Sequence, residues 1–397
     1  MVIKQKIILT LLVVLLCVGK AYSHEDKNVI AGDTEQAEDS IHTETKQSFL
    51  KQWWDGIAHG NVDHTFERPM DITFAAAPYY SQESNFGIGG SLTSLFRINR
   101  KDSLMQPSDF SLMAGASLNG TYSMGVDGNI HFTRNHRLKF LAQFRHLKRN
   151  FWGINYAACD VNPVCDTEIN RTSVSIDYQQ RFYGNWFWGL SANINYIKAS
   201  PDSIRYLEGQ SSQGLFAGMG ALVQYDSRDF ALNAKKGIYF LYRVIYFPQF
   251  QGKNEKDIIR TTICFNAYHK LWRDAVLAYD LYSEYNTSKG IVPWQLREEI
   301  NVDDRRMRGY YAGRYMDENQ TCLQVELRQH IWKRVGAVAW AGVGCFFNDS
   351  SEIKYDSLLP NYGVGFRFEI KHNTNLRLDL GFGRDASAIA LGFAEAF

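Results

Sequence analysis

The chain has 397 residues, with 43 Lys and Arg against 42 Asp and Glu, and this near balance gives no electrostatic reason to expect a nucleic-acid partner. Aromatic residues make up 14%, with 22 Tyr, 25 Phe and 31 Gly but only 8 Pro, at a mean hydropathy of −0.30. That balance suits many strands apolar on one face only, and no apolar run after the leader reaches the roughly 18 residues of a membrane-spanning helix.

Lys4 and Lys6, the apolar run Ile7 to Leu16, and Ala21-Tyr22-Ser23 before His24 have the layout of a secretory signal over 1–23. Leu16 stands before Cys17 where a lipoprotein site needs a small residue, so no lipid anchor is expected there. Residues 24–46 carry Glu25, Asp26, Asp33, Glu35, Glu38, Asp39 and Glu44 against Lys27 and Lys46, and bury too little apolar surface to offset their ordering entropy; they are expected to be a disordered tether. Over 47–58 the spacing of Phe49, Leu50, Trp53, Trp54 and Ile57 predicts a short amphipathic helix whose stripe needs a cover, whether barrel mouth, lipid interface or another protein.

After Pro69 the pattern changes to period two. Tyr122, Met124, Val126, Ile130 and Phe132 alternate with polar residues, as do Trp188, Leu190, Ala192, Ile194 and Tyr196, then Leu323, Val325 and Leu327, then Leu376, Leu378 and Leu380. These runs reach about ten residues, whereas strands of soluble proteins are commonly nearer five or six, and the greater length suits tilted membrane strands. The alternation predicts an all-β fold, a sixteen-stranded antiparallel transmembrane barrel over 69–397, with strands near 71–80, 86–97, 109–118, 121–133, 138–147, 172–183, 186–198, 215–227, 237–247, 259–271, 275–286, 320–332, 336–347, 361–371, 374–384 and 387–397. Short turns near Asn135, Gly184, Arg273, Arg334 and His372 fall at one end, and long connections at the other. With the short turns periplasmic, the connection from Thr287 to Glu318 is extracellular loop six.

Six cysteines are present, one of them within the signal, which leaves an odd number for an oxidising compartment. Cys159 and Cys165 enclose the polar turn Asp160-Val161-Asn162-Pro163-Val164 and are expected to be bridged as a loop staple. Cys322 and Cys345 lie about level across one hairpin, a weaker pairing; with Cys264 they show no metal-ligand spacing.

Loop six carries Arg308-Gly309-Tyr310. This triplet resembles the Arg-Gly-Phe/Tyr tip of loop six in the BamA/TamA-like outer-membrane assembly-factor superfamily, the bacterial surface antigen barrels, where the loop folds into the barrel and acidic wall residues hold its arginine. Asp226-Ser227-Arg228-Asp229 with Asn233 and Gly237 resembles the family's Asp-x-Arg-Asp periplasmic turn, with Ala234 where proline is usual. Ile389, Leu391, Phe393 and Phe397 resemble its C-terminal barrel signal, with Glu395 at a normally apolar position. The resemblance implies Glu326 as the acidic partner of Arg308. In Trp340-Ala341-Gly342-Val343-Gly344 a glycine replaces the aspartate usual in the family, leaving Asp379 and Glu369 as replacement partners. The family's POTRA modules do not fit between Ser23 and Asp71, so the chain resembles the stand-alone branch.

No catalytic constellation, cofactor motif or metal spacing is present, and the chain is not expected to be an enzyme. The resemblance implies an outer-membrane barrel that assists insertion or transport of a hydrophobic client, protein or lipid, by opening the seam between its first and last strands; the alternative is a passive channel. Expected partners are outer-membrane lipids, the general barrel assembly machinery during biogenesis, and a separate periplasmic protein.

Overall fold

The computed structural model describes residues 65–397 apart from 103–104, 163, 201–204, 232, 250–255, 302–304, 372–373 and 394. The signal, the acidic segment and the amphipathic stripe expected over 1–58 lie outside the described residues. Wherever apolar and polar side chains alternate, the backbone is extended, because only a period-two chain puts one set outward and the other inward. The first half of the wall comprises β1 (Met70–Ser81), β2 (Asn85–Phe96), β3 (Ser108–Ser117), β4 (Tyr122–His131), β5 (His136–Phe151), β6 (Cys165–Tyr183), β7 (Trp186–Ala199) and β8 (Gln213–Asp226). It continues through β9 (Gly237–Phe247), β10 (Ile258–Lys270) and β11 (Val276–Ser288). After the short loop hairpin of β12 (Glu298–Glu299) and β13 (Met316–Asp317), the wall resumes with β14 (Asn319–Trp332), β15 (Val335–Phe347), β16 (Leu359–Lys371), β17 (Thr374–Gly383) and β18 (Ala386–Phe393). Sixteen strands pair antiparallel in chain order and β18 returns to β1, closing the barrel.

The outer face is apolar and uncovered. Ile72, Phe74, Met124, Leu190, Leu323 and Val364 point away from the interior and are exposed, whereas Gln324, Glu326 and Arg328, the alternate residues of β14, are buried inside. A soluble sandwich would hide the first set; a barrel in lipid leaves it outward and keeps a polar interior. No helix among the described residues is long and apolar enough to cross a membrane.

The expected bounds of three strands are wrong, because chain that leaves the lipid-facing wall is not constrained to alternate. β5 and β6 run beyond the predicted 138–147 and 172–183, pairing as far as Phe151 opposite Cys165. β18 was expected to run to Phe397 but stops at Phe393.

The expected staple is absent. Cys159 lies in the short helix α1 (Tyr156–Val161) and Cys165 opens β6; both are buried in one apolar cluster with Phe151, Ile154, Ile169 and Trp294, with no bridge between them. Cys159 packs there as a small apolar group, and burial pushes its thiol up to about 12. Cys322 and Cys345 are likewise not bridged: Cys345 is opposite Thr321 and Cys322 opposite Gly344, so the two side chains leave opposite faces of the hairpin.

The wall is uneven at one place. β17 and β18 pair from Leu376 opposite Phe393 to Gly383 opposite Ala386, and β1 and β2 pair along their whole lengths, but among the described residues β1 and β18 share the single register pair Tyr80 and Leu391.

Candidate functional site

Loop six folds inward. The β12–β13 hairpin sets Glu298 opposite Asp317 and Glu299 opposite Met316, the Ile300 N–H donates to the Tyr315 carbonyl at 2.9 Å, and Arg306 to Tyr310 enter the barrel. Their backbone is left-handed at Met307, Gly309 and Gly313. Gly309, with φ of 115°, is the position where glycine is required: a Cβ there would stand 2.6 Å from the Phe382 nitrogen, so the tip can lie on β17 only without a side chain.

Arg308 is buried and doubly paired. Its Nη2 donates to Glu326 Oε2 at 2.6 Å, its Nη1 to Asp379 Oδ2 at 3.0 Å, and its guanidinium lies 3.8 Å from the ring centre of Trp340. The Glu326 partnership is therefore the one expected, and Asp379 supplies the acid missing from β15. Trp340 adds a flat surface that lysine could not use as well.

Around this pair stands a ring of charge. Arg328 Nε donates to Glu326 Oε1 at 2.8 Å, Arg367 Nη1 to Asp379 Oδ1 at 2.6 Å, and Arg367 Nε to Glu395 Oε2 at 2.8 Å, with Arg377 3.5 Å from Asp379. Glu369, the other suggested partner, lies away from the Arg308 pair. Asp379 is opposite Gly365, and Glu369 lies four residues, roughly 13 Å, further down β16, opposite Asn375. Its place is taken by Glu395, which enters because the chain leaves the wall after β18; the departure from the family signal is the residue that completes the ring.

Four further contacts anchor the loop. Arg306 binds Asp280 of β11 through both Nε and Nη2, at 2.6 and 2.8 Å. Glu299 accepts from Arg171 of β6 and is ion-paired with Arg149 of β5, each at 2.6 Å. Burial alone would raise the Glu299 carboxyl, but these two guanidiniums outweigh it and hold it at about 2. The Ala312 N–H donates to Glu83 Oε1, in the β1–β2 turn, at 2.5 Å, while the Tyr310 hydroxyl donates to the Pro360 carbonyl at 2.7 Å and accepts from the Arg384 N–H at 2.8 Å. The loop tip therefore touches the wall on both sides of the β1–β18 seam. A polar cavity of about 260 Å³ remains between loop and wall, lined in part by Arg171, Arg260, Glu284, Glu298 and Arg306.

The turn motif is structural. Arg228 donates to both carboxylate oxygens of Asp226 at 3.0 and 2.9 Å and lies over Tyr239, while Asp229 Oδ1 accepts from the backbone of Phe230 and Lys235 at 3.0 Å each. Gly237 has φ of 108°, and a Cβ there would meet the Ser227 carbonyl at 2.4 Å.

Sequence comparison matches no family model and no curated protein. Structural comparison finds BamA from Haemophilus ducreyi lacking POTRA domains 1-3, with TM-score 0.55 at 11% identity over 82% of this chain and 70% of that one. It also finds CdiB from Acinetobacter baumannii (0.51, 10%, 83% and 60%) and CdiB from Escherichia coli (0.52, 10%, 82% and 63%). The chain thus spans less than two thirds of either CdiB. At such identities the likeness is one of fold: this is a sixteen-stranded barrel with the fold seen in BamA and CdiB.

Proposed function

We propose that this barrel inserts or moves a hydrophobic client, an outer-membrane protein or a lipid, by parting the wall between β1 and β18. The observation that carries this reading is the seam, where among the described residues one register pair stands in place of a full ladder. Every other junction would expose many backbone donors and acceptors on opening, and in hydrocarbon each unsatisfied group costs several kcal/mol; here the loss is small. The unpaired edges of β1 and β18 offer a client strand the same hydrogen-bonding groups it would find in a sheet. A passive channel is not favoured, because loop six folds into the barrel, where its Met307 and Tyr310 pack into one apolar cluster with Phe151, Ile154 and Trp294. In this reading a separate periplasmic partner delivers the client.

Liposomes containing the purified barrel should speed insertion of an unfolded small outer-membrane protein, or exchange of lipid between leaflets. A disulfide joining Tyr80→Cys to Leu391→Cys should abolish that gain and dithiothreitol should restore it. Equal rates with the seam locked would remove the reading.

A further inference from the structure

The chain as a whole carries a net charge of only +1, yet its charge is not evenly placed. Three hairpins that adjoin at the short-turn end, β8–β9, β10–β11 and β14–β15, expose Lys235, Lys236, Arg273, Lys333 and Arg334. They form one surface: β9 pairs with β10 and β11 with β14, and Gln329 Nε2 donates to the Arg273 carbonyl at 3.2 Å. Two of the acids nearby are already engaged. Asp229 accepts backbone N–H groups within its own turn, and Asp274 is bound by Lys270 at 2.8 Å. At the opposite end the β15–β16 loop sets Asp349, Glu352 and Asp356 against Lys354.

Aromatic side chains adjoin these cations in sequence. Trp272 precedes Arg273 and is 59% exposed; Trp332 precedes Lys333, is 48% exposed, and has the Lys333 Nζ 4.9 Å from its ring centre. Ile331, also exposed, continues the outward apolar face that carries Leu323 on β14. The patch thus begins where the lipid-facing wall ends.

We infer that this rim binds the anionic headgroups of inner-leaflet phospholipid, with Trp272 and Trp332 at the acyl boundary and the lysines and arginines on the phosphates. A lipid surface fits better than a protein because the cations continue a face already turned radially into the bilayer. Phosphatidylglycerol suits the site by charge: each phosphodiester carries one negative charge and presents two oxygens to lysine or to the fork of arginine. The inference does not depend on what the barrel transports.

The test is tryptophan quenching in the folded full-length protein, reconstituted in membranes containing either brominated phosphatidylglycerol or brominated phosphatidylcholine as the quencher. Wild type should favour phosphatidylglycerol by about threefold to tenfold at low salt. The preference should fall to near one in the variant with Lys235, Lys236, Arg273, Lys333 and Arg334 all replaced by Gln, and should shrink in salt well above about 0.15 M. Replacing Lys148 and Lys354 at the other rim should leave it intact; heat-modifiable gel mobility verifies that each variant is folded. No preference in wild type would overturn the inference, and is the result expected if an acidic protein or the chain's own acidic 24–46 segment occupies the patch. A preference that survives the five substitutions would overturn it equally.

Discussion

The backbone oxygen of Phe397 accepts a hydrogen bond from Arg328 Nη2 at 2.7 Å, although Arg328 stands on β14, four strands round the wall from β18. The last residues therefore leave the lipid-facing wall and enter the barrel, where the Phe397 ring packs against Ala234, Tyr268, Val276 and Ala278. On the way Glu395 binds Arg367 at 2.8 Å and Asn375 at 2.6 Å.

This path separates the roles of Glu395 and Phe397. Glu395→Ala removes the carboxylate from Arg367 and should destabilise the folded barrel by on the order of 2–4 kcal/mol, since a buried guanidinium loses a partner. Phe397→Ala keeps the backbone oxygen that Arg328 uses and loses only a half-buried ring, so its effect should be about 1–2 kcal/mol. Urea unfolding followed by tryptophan fluorescence ranks the two; the reverse order would mean that the tail is held by its ring.

The ring around Arg308 is unequal in charge, and that makes its members unequal in effect. Arg308, Arg328, Arg367 and Arg377 face Glu326, Asp379 and Glu395. Removing Arg308 leaves the signs balanced, whereas removing Glu326 leaves two acids among four guanidiniums. Glu326→Gln should therefore cost more than Arg308→Gln, roughly 3–5 kcal/mol against 2–3, and the double variant should cost less than the sum. Arg308→Lys should not restore wild-type stability, because a single ammonium cannot reach both acids and lie flat on Trp340. Strict additivity in the double-mutant cycle would show the residues to be energetically independent.

Much of this was legible in the sequence. The family resemblance picked out Glu326 as the partner, and its inward direction could be read because lumen and lipid faces alternate along β14, so one apolar neighbour fixes the direction of the rest. The strand count followed from the same regularity. What alternation cannot show is where it ends: Glu395 looked like a flawed lipid-facing position because nothing local marks the chain's exit from the wall at Phe393. Nor can it pair distant charges. Arg149, Arg171 and Glu299, like Arg306 and Asp280, read singly as polar residues of a wet interior, and only the inward fold of loop six brings them together. The cysteines failed for a related reason: their spacing permits a bridge, but the α1 turn and the extended β5–β6 hairpin direct both thiols into an apolar cluster instead.

Docking of loop six should depend on acid in a defined direction. Glu299 is held at about 2 in the folded state, against about 4.3 for an unperturbed glutamate. A carboxyl with a depressed folded pKa contributes stability above its unfolded value and loses it as pH falls toward the folded one. The loop should thus stay docked from neutral pH to about 4.5 and loosen between there and about 2. Pepsin digestion across that window, read by mass spectrometry, should cut within the loop only at the acid end. Glu299→Gln leaves Arg149 and Arg171 facing a neutral amide and should expose the loop to trypsin at neutral pH; continued protection would remove Glu299 from the docking contacts.

The same loop should also hold the seam shut. On one side of it the Tyr310 hydroxyl joins Pro360 and Arg384 next to β16 and β17; on the other the Ala312 N–H joins Glu83 in the turn that follows β1. Parting β1 from β18 while the tip stays seated must break the Glu83 contact, a hydrogen bond to a charged acceptor worth about 1.5–3 kcal/mol. Glu83→Ala should raise the opening equilibrium by about tenfold or more, whereas Glu83→Gln keeps an oxygen acceptor and should raise it less. Amide hydrogen exchange along β1 and β18 reads that equilibrium directly, with β9 and β10, on the far side of the barrel, as the internal reference. Faster exchange confined to β1 and β18 in Glu83→Ala, and largely reversed in Glu83→Gln, is the expected pattern. Equal acceleration in β9 and β10 would mean that the substitution merely loosens the whole barrel, and no acceleration anywhere would mean that the seam is closed by its own edges rather than by loop six.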